Sequence, residues 1–355
     1  MRLPMTDGAV DLETVCRMVD EFMAAGFNYF DTAHGYLDGE SERAIAAAVC
    51  RRYPRESFML ANKLSSPHFH SREEIRPLFE SQLSACETDY FDVYLMHSQD
   101  AGVYEKYKAL GAYETAYALK REGLVRHVGL SFHDKAEVLS QILREQPEIE
   151  IVQIQFNYAD YDSPSVEAKK CYDVCRAFGK HVIVMEPVKG GALATLPPTA
   201  GAILSSLGEA SAASYAIRFA AGFDGVVSVL SGMSDLDMLR DNISHMKDFV
   251  PLNSEEQDAL ERVREEMRSL SAIDCTGCRY CTPVCPMKIP IPDLFACMNA
   301  RMVYADPNAE YYYENYTQDG RLASTCIYCS RCERHCPQHL EIPRLLRDVA
   351  REFEK

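Results

Sequence analysis

Tryptophan is absent from this chain of 355 residues, and positive charge is scarce: 37 Lys and Arg face 53 Asp and Glu, a formal net charge of −16. That balance argues against binding nucleic acid, where basic stripes must displace counterions from phosphates, and against docking on an anionic membrane. A long apolar run is also missing. The most apolar later stretch, Ala200 to Phe223, is interrupted by Glu209 and Arg218, and the N-terminus shows none of the charged, apolar and small-residue segments of an export signal. These absences predict a cytoplasmic protein with neither nucleic acid nor membrane among its partners.

Cysteine, by contrast, is plentiful, with fourteen residues. In a small secreted chain they would suggest disulfides; here the chain is large and eight of them lie in two tight runs. The first run is Cys275, Cys278, Cys281 and Cys285, followed by Pro286; the second is Cys326, Cys329, Cys332 and Cys336, followed by Pro337. Three thiolates at steps of three wrap the backbone around one cubane and serve three of its irons, so the fourth iron takes a ligand from elsewhere. In two-cluster ferredoxins the fourth cysteine of each run crosses over. That rule groups Cys336 with Cys275, Cys278 and Cys281, and Cys285 with Cys326, Cys329 and Cys332. Structural zinc is the alternative, since it also accepts four thiolates from paired C-x-x-C units, but the third cysteine and the Cys-Pro, repeated twice, favour two 4Fe-4S clusters. The remaining Cys16, Cys50, Cys86, Cys171, Cys175 and Cys297 lie mostly in helical patterns, where a thiol packs as a small hydrophobe.

From Asp11 to about Phe249, short apolar runs alternate with longer stretches of helical period. Seven runs read as strands: Phe27 to Asp31, Phe58 to Lys63, Phe91 to His97, His127 to Ser131, Ile151 to Phe156, His181 to Glu186 and Gly225 to Leu230. Between them, Leu12, Val15, Val19 and Phe22 form one helical stripe, Ser71 with Glu74 reads as a capping box, Asp134 as a helix cap, and Gly179 as the end of a helix beginning near Ser163. Repeated βα units with nearly continuous apolar strands predict an α/β fold with a parallel sheet, either a closed (β/α)8 TIM barrel or a doubly wound open sheet. No Gly-x-Gly-x-x-Gly follows a strand, which lowers the odds of a dinucleotide-binding open sheet. Three regions follow: residues 1–250 as the larger domain, 251–271 as a connecting helix, and 272–355 as a small, mainly helical two-cluster ferredoxin-like domain. Within the last, helices are expected over Pro292 to Tyr304 and from Pro343 towards Phe353, with a Tyr-rich polar stretch, Tyr311 to Tyr316, between them.

Three ionisable residues end consecutive predicted strands: Asp31, Lys63 and His97, with Tyr36 in the loop after the first. In a barrel that end carries the active site. Each alone has a plain structural explanation, as a cap or a solvated charge. Together, and in this order, Asp31, Tyr36, Lys63 and His97 resemble the catalytic set of the aldo-keto reductase family. The resemblance extends to Ser41-Glu42, Gly129-Leu-Ser131, Gln153, Asn157, Ser231-Gly232 and Asn242, and with the cysteine runs it reaches the subgroup that carries a C-terminal 4Fe-4S dicluster domain.

That resemblance implies a (β/α)8 barrel, a nicotinamide cofactor (NAD or NADP), and hydride transfer to or from a small carbonyl or alcohol substrate. It implies Tyr36 as the acid, Lys63 and Asp31 as the pair that tunes it, and His97 as the group that orients the carbonyl. It further implies cofactor contacts from Ser131, Gln153, Met185, Ser231, Gly232 and Asn242. Met185 stands where the family usually stacks a tyrosine, and Gly232 and Met238 stand where many members carry cations for the 2′-phosphate, which leaves Arg240 as the candidate substitute. Members also have a hairpin and a first barrel strand ahead of the segment that begins here at Met1-Arg-Leu-Pro, so the first strand is largely absent from this chain. Either the true start lies upstream or the barrel is completed in an unusual way, and an open barrel with unpaired edges is expected to aggregate or work poorly. The leading expectation is an NAD(P)-dependent oxidoreductase whose clusters transfer electrons, with a redox protein as a candidate partner. The alternative is a non-catalytic iron-sulfur electron carrier or redox sensor on an inactive barrel.

Overall fold

The computed structural model describes residues 2–163, 166–270, 273–275, 277, 279–336 and 338–355. The sequence reading places no strand before Phe27, yet a short antiparallel hairpin opens the chain: β1 (Met5–Thr6) pairs with β2 (Ala9–Val10). Its two-residue loop is Asp7-Gly8, with φ of 52° and 82°. Two consecutive left-handed residues suit a tight hairpin turn, and an Asp-Gly pair adopts them at low cost.

All seven predicted strands form, each end within two residues of its expected place: β3 (Tyr29–Asp31), β4 (Met59–Leu64), β5 (Phe91–Gln99), β6 (Val125–Phe132), β7 (Ile151–Gln155), β8 (His181–Met185) and β9 (Val226–Val229). They pair in parallel and in chain order, and with their covering helices they make a nearly closed barrel of the (β/α)8 kind. Ala61, Val93, Leu95, Ile151 and Ile183 pack together as a buried cluster drawn from four of these strands. Gly129 on β6 is required by that closeness, because a Cβ there would lie 2.5 Å from the Ile151 carbonyl oxygen and 2.7 Å from Leu95 Cδ2. The end strand β9 is less protected than the central ones, leaving Val227 56% exposed.

Local details depart from the sequence reading at helix ends. Helix Leu12–Ala24 buries Val15, Met18 and Val19 while Leu12 is exposed, so its stripe is rotated towards Met18. Ser71 and Glu74 form no capping box: Ser71 makes no side-chain cap to helix Arg72–Cys86, and Glu74 instead accepts the His70 backbone N–H at 2.6 Å. Asp134 lies one residue too early to cap helix Ala136–Glu145, and its carboxylate accepts the N–H of Ala101, the first residue of helix Ala101–Ala109, at 3.0 Å. The helix expected from Ser163 begins at Ala168, past Pro164 and Ser165, which lie outside the described residues. Gly179 does follow its end, with φ of 66°.

The chain divides into two compact units: Met1–Asn157, Ala168–Pro187 and Ile217–Leu252 form the first, and Tyr158–Glu167, Val188–Ala216 and Asn253–Lys355 the second. The second is helical. Helix Ser254–Ser269 starts at a complete capping box, Asn253 with Glu256, and packs against helix Pro198–Ser205. Helices Ile291–Tyr304, Ala309–Thr317 and Ile342–Phe353 surround a core of Ile289, Ile291, Leu294, Phe295, Tyr313, Leu346 and Val349, into which Cys281 and Cys332 are packed. The Tyr-rich stretch is thus helix, and Tyr313 stacks on Phe353 with centroids 4.7 Å apart.

A buried ion triad also belongs to this unit. The Lys189 ammonium lies 2.8 Å from Asp160 and 3.2 Å from Asp306, all three side chains being almost fully buried. Burial alone would lower the Lys189 pKa, but the two carboxylates more than offset this and hold it above its ordinary value. Among the described residues, no helix is long and apolar enough to cross a membrane.

Candidate active site and cysteine loops

Parallel strands in chain order set one side chain beside the next at their C-terminal ends. Asp31 ends β3, Lys63 is next to last on β4, and His97 lies near the end of β5. The fully buried Lys63 ammonium lies 2.5 Å from Asp31 Oδ1 and donates to the Thr32 carbonyl at 2.8 Å. Burial presses its pKa down, yet Asp31 and then Tyr36 outweigh that and leave it raised. Its backbone is held too: Lys63 N–H donates to Asn62 Oδ1, and its carbonyl accepts from Gln82. Glu42 accepts from Asn62 on one oxygen and meets His34 on the other, so Ser41-Glu42 braces this strand from beneath the site.

Tyr36 is presented by a strained turn, Leu37, Asp38 and Gly39 having φ of 52°, 53° and 87°. Its hydroxyl lies 3.5 Å from His97 Nε2, the outer limit of a hydrogen bond, and Lys63 Nζ is 4.7 Å from its ring centroid. The other imidazole nitrogen, Nδ1, is 2.6 Å from Ser65 Oγ. His97 keeps some surface, but the protein packed round its ring, then Lys63, holds its pKa well below the ordinary value. It is therefore neutral near pH 7. Nearby His133, which the sequence reading did not single out, is likewise pushed down to about 4 by burial. Asp31, Tyr36, Lys63 and His97 are thus brought together.

Ser131 on β6 and Gln153 on β7 are register partners. Ser131 Oγ accepts the Ser98 N–H at 2.8 Å, which leaves its own proton for another acceptor. Gln153 Oε1 is buried without a hydrogen-bond partner, and its amide nitrogen is spent on Met185 Sδ at 3.5 Å, a weak acceptor. A buried amide oxygen without a donor is a place for a ligand N–H, and a nicotinamide carboxamide supplies both a donor and an acceptor. The residues present fit that group. Ser231 and Asn242 join by a 2.9 Å hydrogen bond beside Gly232.

Two findings bear on the cofactor phosphates. Arg240 is engaged by both oxygens of Glu21 at 2.8 Å, which removes it as a free substitute cation. Arg2, which the sequence reading passed over, lays its methylenes against Gly232, with Cδ 3.1 Å from where a Cβ would be. A Cβ there would force that side chain to give by a few tenths of an ångström.

The cysteine loops are built as a repeat. In each, left-handed residues recur at matching places: Gly277, Arg279 and Lys288 (φ 68°, 62° and 54°) answer to Tyr328, Ser330 and His339 (55°, 52° and 51°). Five of the six are not glycine, and such backbone is costly unless the surroundings dictate it. Two cavities result. One is lined by Cys275, Cys281 and Cys336; the other by Cys326, Cys329, Cys332 and Cys285. Each draws its last cysteine from the other run. Cys278 and Pro337 lie outside the described residues. Loops that alternate helical and left-handed residues turn backbone N–H groups inward, a concavity suited to anionic groups including iron-sulfur centres, so the thiols and backbone fit clusters. Among the scattered cysteines, Cys86, Cys171, Cys175 and Cys297 are buried, and Cys16 and Cys50 partly so.

The profile of the Aldo/keto reductase family matches residues 1–265, and that of the 4Fe-4S dicluster domain matches residues 274–341. D-galacturonate reductase of Fragaria ananassa is 25% identical over 195 residues, half of this chain and 58% of that one. The chain therefore spans less than two thirds of that relative's length. An aldo-keto reductase from Bacillus halodurans, solved in its holo form, superposes with a TM-score of 0.58 at 23% identity, covering 74% of this chain and 91% of that one. One from Klebsiella pneumoniae, solved with NADP and acetate, gives 0.58 at 20% identity, covering 71% and 86%. At such identities the structures speak for the fold alone. The family matches rest on most of the chain's length, and with the barrel and the cysteine loops they lead to one conclusion: this chain belongs to the aldo/keto reductase family and carries a C-terminal 4Fe-4S dicluster domain.

Proposed function

We propose that the chain is an NAD(P)-dependent oxidoreductase that interconverts a small carbonyl and its alcohol, and that its cysteine loops hold two 4Fe-4S clusters for electron transfer. The observation that carries the reading is the meeting of Asp31, Tyr36, Lys63 and His97 at the ends of adjacent strands. When bound, the nicotinamide supplies or accepts hydride at the carbonyl carbon.

The chain's own residues do the rest. A phenol has an ordinary pKa of about 10, and an ammonium beside it favours the anion, which makes the phenol a better acid. Lys63, held charged by Asp31, plays that part for Tyr36, which gives its proton to the developing alkoxide. His97, neutral and with Nδ1 accepting from Ser65, carries its proton on Nε2 and donates it to the same oxygen. Ser131 and Gln153 hold the carboxamide, Met185 lies beside the ring, and Ser231, Gly232 and Asn242 border the adenosine end, where Arg2 lies against Gly232 and pairs with a 2′-phosphate. Cys275, Cys278, Cys281 and Cys336 ligate one cluster and Cys326, Cys329, Cys332 and Cys285 the other, the crossed lining of the two cavities being the support for this grouping.

Tyr36→Phe keeps the ring and removes the proton. It is expected to lower carbonyl reduction by about 10²–10⁴-fold while iron content and cluster absorbance stay as in the parent. Retained turnover would remove Tyr36 as the acid. Failure of both NADH and NADPH to bind would favour a non-catalytic carrier on an inactive barrel.

A further inference from the structure

The two loops share left-handed residues at matching positions, so differences at other matching positions are informative. Around the cavity of Cys326, Cys329, Cys332 and Cys285, the lining includes Pro286, Met287 and Ile327, all exposed and apolar, and the neighbouring Tyr328 is 56% exposed. The matching positions around the first cavity are Gln338 for Met287, Gly277 for Tyr328 and, in sequence, Thr276 for Ile327. In the lining of the first cavity, Gln338 alone is exposed among the described residues, the neighbouring Tyr280 is 63% exposed, and Arg279 there is held by both oxygens of Asp293. Exposed Ile327 (59%) and Tyr328 beside a redox centre serve no core.

Charge adds a direction. Lys288 adjoins Met287, Arg331 stands between Ser330 and Cys332, and Arg334 follows two residues after Cys332; all three are exposed and have no ion-pair partner among the described residues. Glu333 is the acid between them. An oxidised cluster with four thiolates is a dianion, which these cations offset. On a chain of net charge −16 this face is therefore one that an acidic protein can approach.

We propose that this face, Met287, Ile327 and Tyr328 ringed by Lys288, Arg331 and Arg334, docks a small acidic one-electron carrier protein and is where electrons enter or leave the cluster pair. This rests on the clusters proposed above. In the step itself the carrier loses one electron and the Cys285/Cys326/Cys329/Cys332 cluster gains it, or the reverse, with no bond made or broken in this chain. The proposal also meets a chemical need: hydride moves two electrons and each cluster one, so an outside one-electron carrier gives the clusters a partner that the nicotinamide is not.

The test uses the full chain, purified without oxygen, with fully reduced flavodoxin as the probe and dithionite as the control reductant. Cluster reduction by flavodoxin is expected to slow as salt is added, and the triple variant Lys288→Glu/Arg331→Glu/Arg334→Glu to react at least about tenfold more slowly at low salt, with an unchanged rate to dithionite. Ile327→Asp, which leaves the cations in place, is expected to slow the flavodoxin reaction as well. Should the triple variant lose iron, Ile327→Asp and the salt dependence of the parent decide. Clusters that dithionite reduces and flavodoxin does not, or a flavodoxin rate indifferent to salt and to these substitutions, would overturn the docking face. A parent chain without iron and sulfide would instead overturn the clusters themselves.

Discussion

The barrel collects its candidate site one residue per strand, whereas the helical unit collects its candidate ligands four per loop. Asp31, Lys63, His97 and Ser131 are some thirty residues apart in sequence and become neighbours only because β3 to β6 pair in order. The cysteines are neighbours already, and the fold's contribution is to exchange the last of each set. A further contrast concerns what the residues support. Lys63 and His97 are inserted into a scaffold whose core of Val, Leu, Ile and Ala comes from β4 to β8, so their loss is expected to remove chemistry and leave the barrel. In the helical unit, Cys281 and Cys332 are part of the core, and Cys275, Cys285, Cys326 and Cys336 pack against it. There the site and the core are the same residues.

That contrast predicts its largest effect on iron removal. Chelation under reducing conditions is expected to unfold the helical unit and expose its tyrosines, with the barrel persisting. Limited proteolysis checks this, and an apo chain as resistant after residue 253 as the holo chain would break the comparison. Next is Lys189→Met, which strands two buried carboxylates and is expected to cost about 3–5 kcal/mol, read as a lower midpoint for the helical unit in chemical denaturation.

A pH effect belongs to the barrel. His133 has a folded pKa of about 4 and His97 one well below the ordinary value, so as pH falls below about 6.5 the unfolded chain binds protons that the folded chain refuses. Stability from these groups is full above pH 6.5 and is lost as pH falls. Melting followed from pH 7 to 5 should show the decline, and His133→Gln should flatten it. Smallest is Arg2→Ala: an exposed ion pair is worth about 1 kcal/mol, so KM for NADPH is expected to rise several-fold while that for NADH stays put.

Legibility in the sequence follows the same division. All seven strands could be read because each centres on a short run rich in β-branched and aromatic residues, and Phe91–Gln99 and Ile151–Gln155 are buried along most or all of their length. Helix caps were harder. Ser71 and Glu74 have the spacing of a box, but Glu74 reaches the N–H of His70, and a side chain's choice between adjacent donors is not written in spacing. The Asp7-Gly8 turn carried a signal that two-residue strands were too short to support. Lys189 with Asp160 and Asp306 left none, since ion pairs across such separations depend on the finished fold. Arg2 beside Gly232 was invisible for the same reason. In the site, the order of Asp31, Tyr36, Lys63 and His97 was readable; the neutral state of His97 and the bare amide oxygen of Gln153 required the surroundings.

The central claim is that this chain houses two separate redox chemistries, hydride transfer in the barrel and single-electron transfer in the loops. It is tested most directly by adding NADPH, with and without a small carbonyl such as methylglyoxal, to the anaerobic, iron-replete chain while recording nicotinamide absorbance and electron paramagnetic resonance together. The account predicts nicotinamide oxidation that depends on the carbonyl and no reduced-cluster signal from NADPH alone. A reduced-cluster signal that appears on mixing with NADPH, or iron-replete chain that neither binds nor oxidises the nicotinamide, would contradict it.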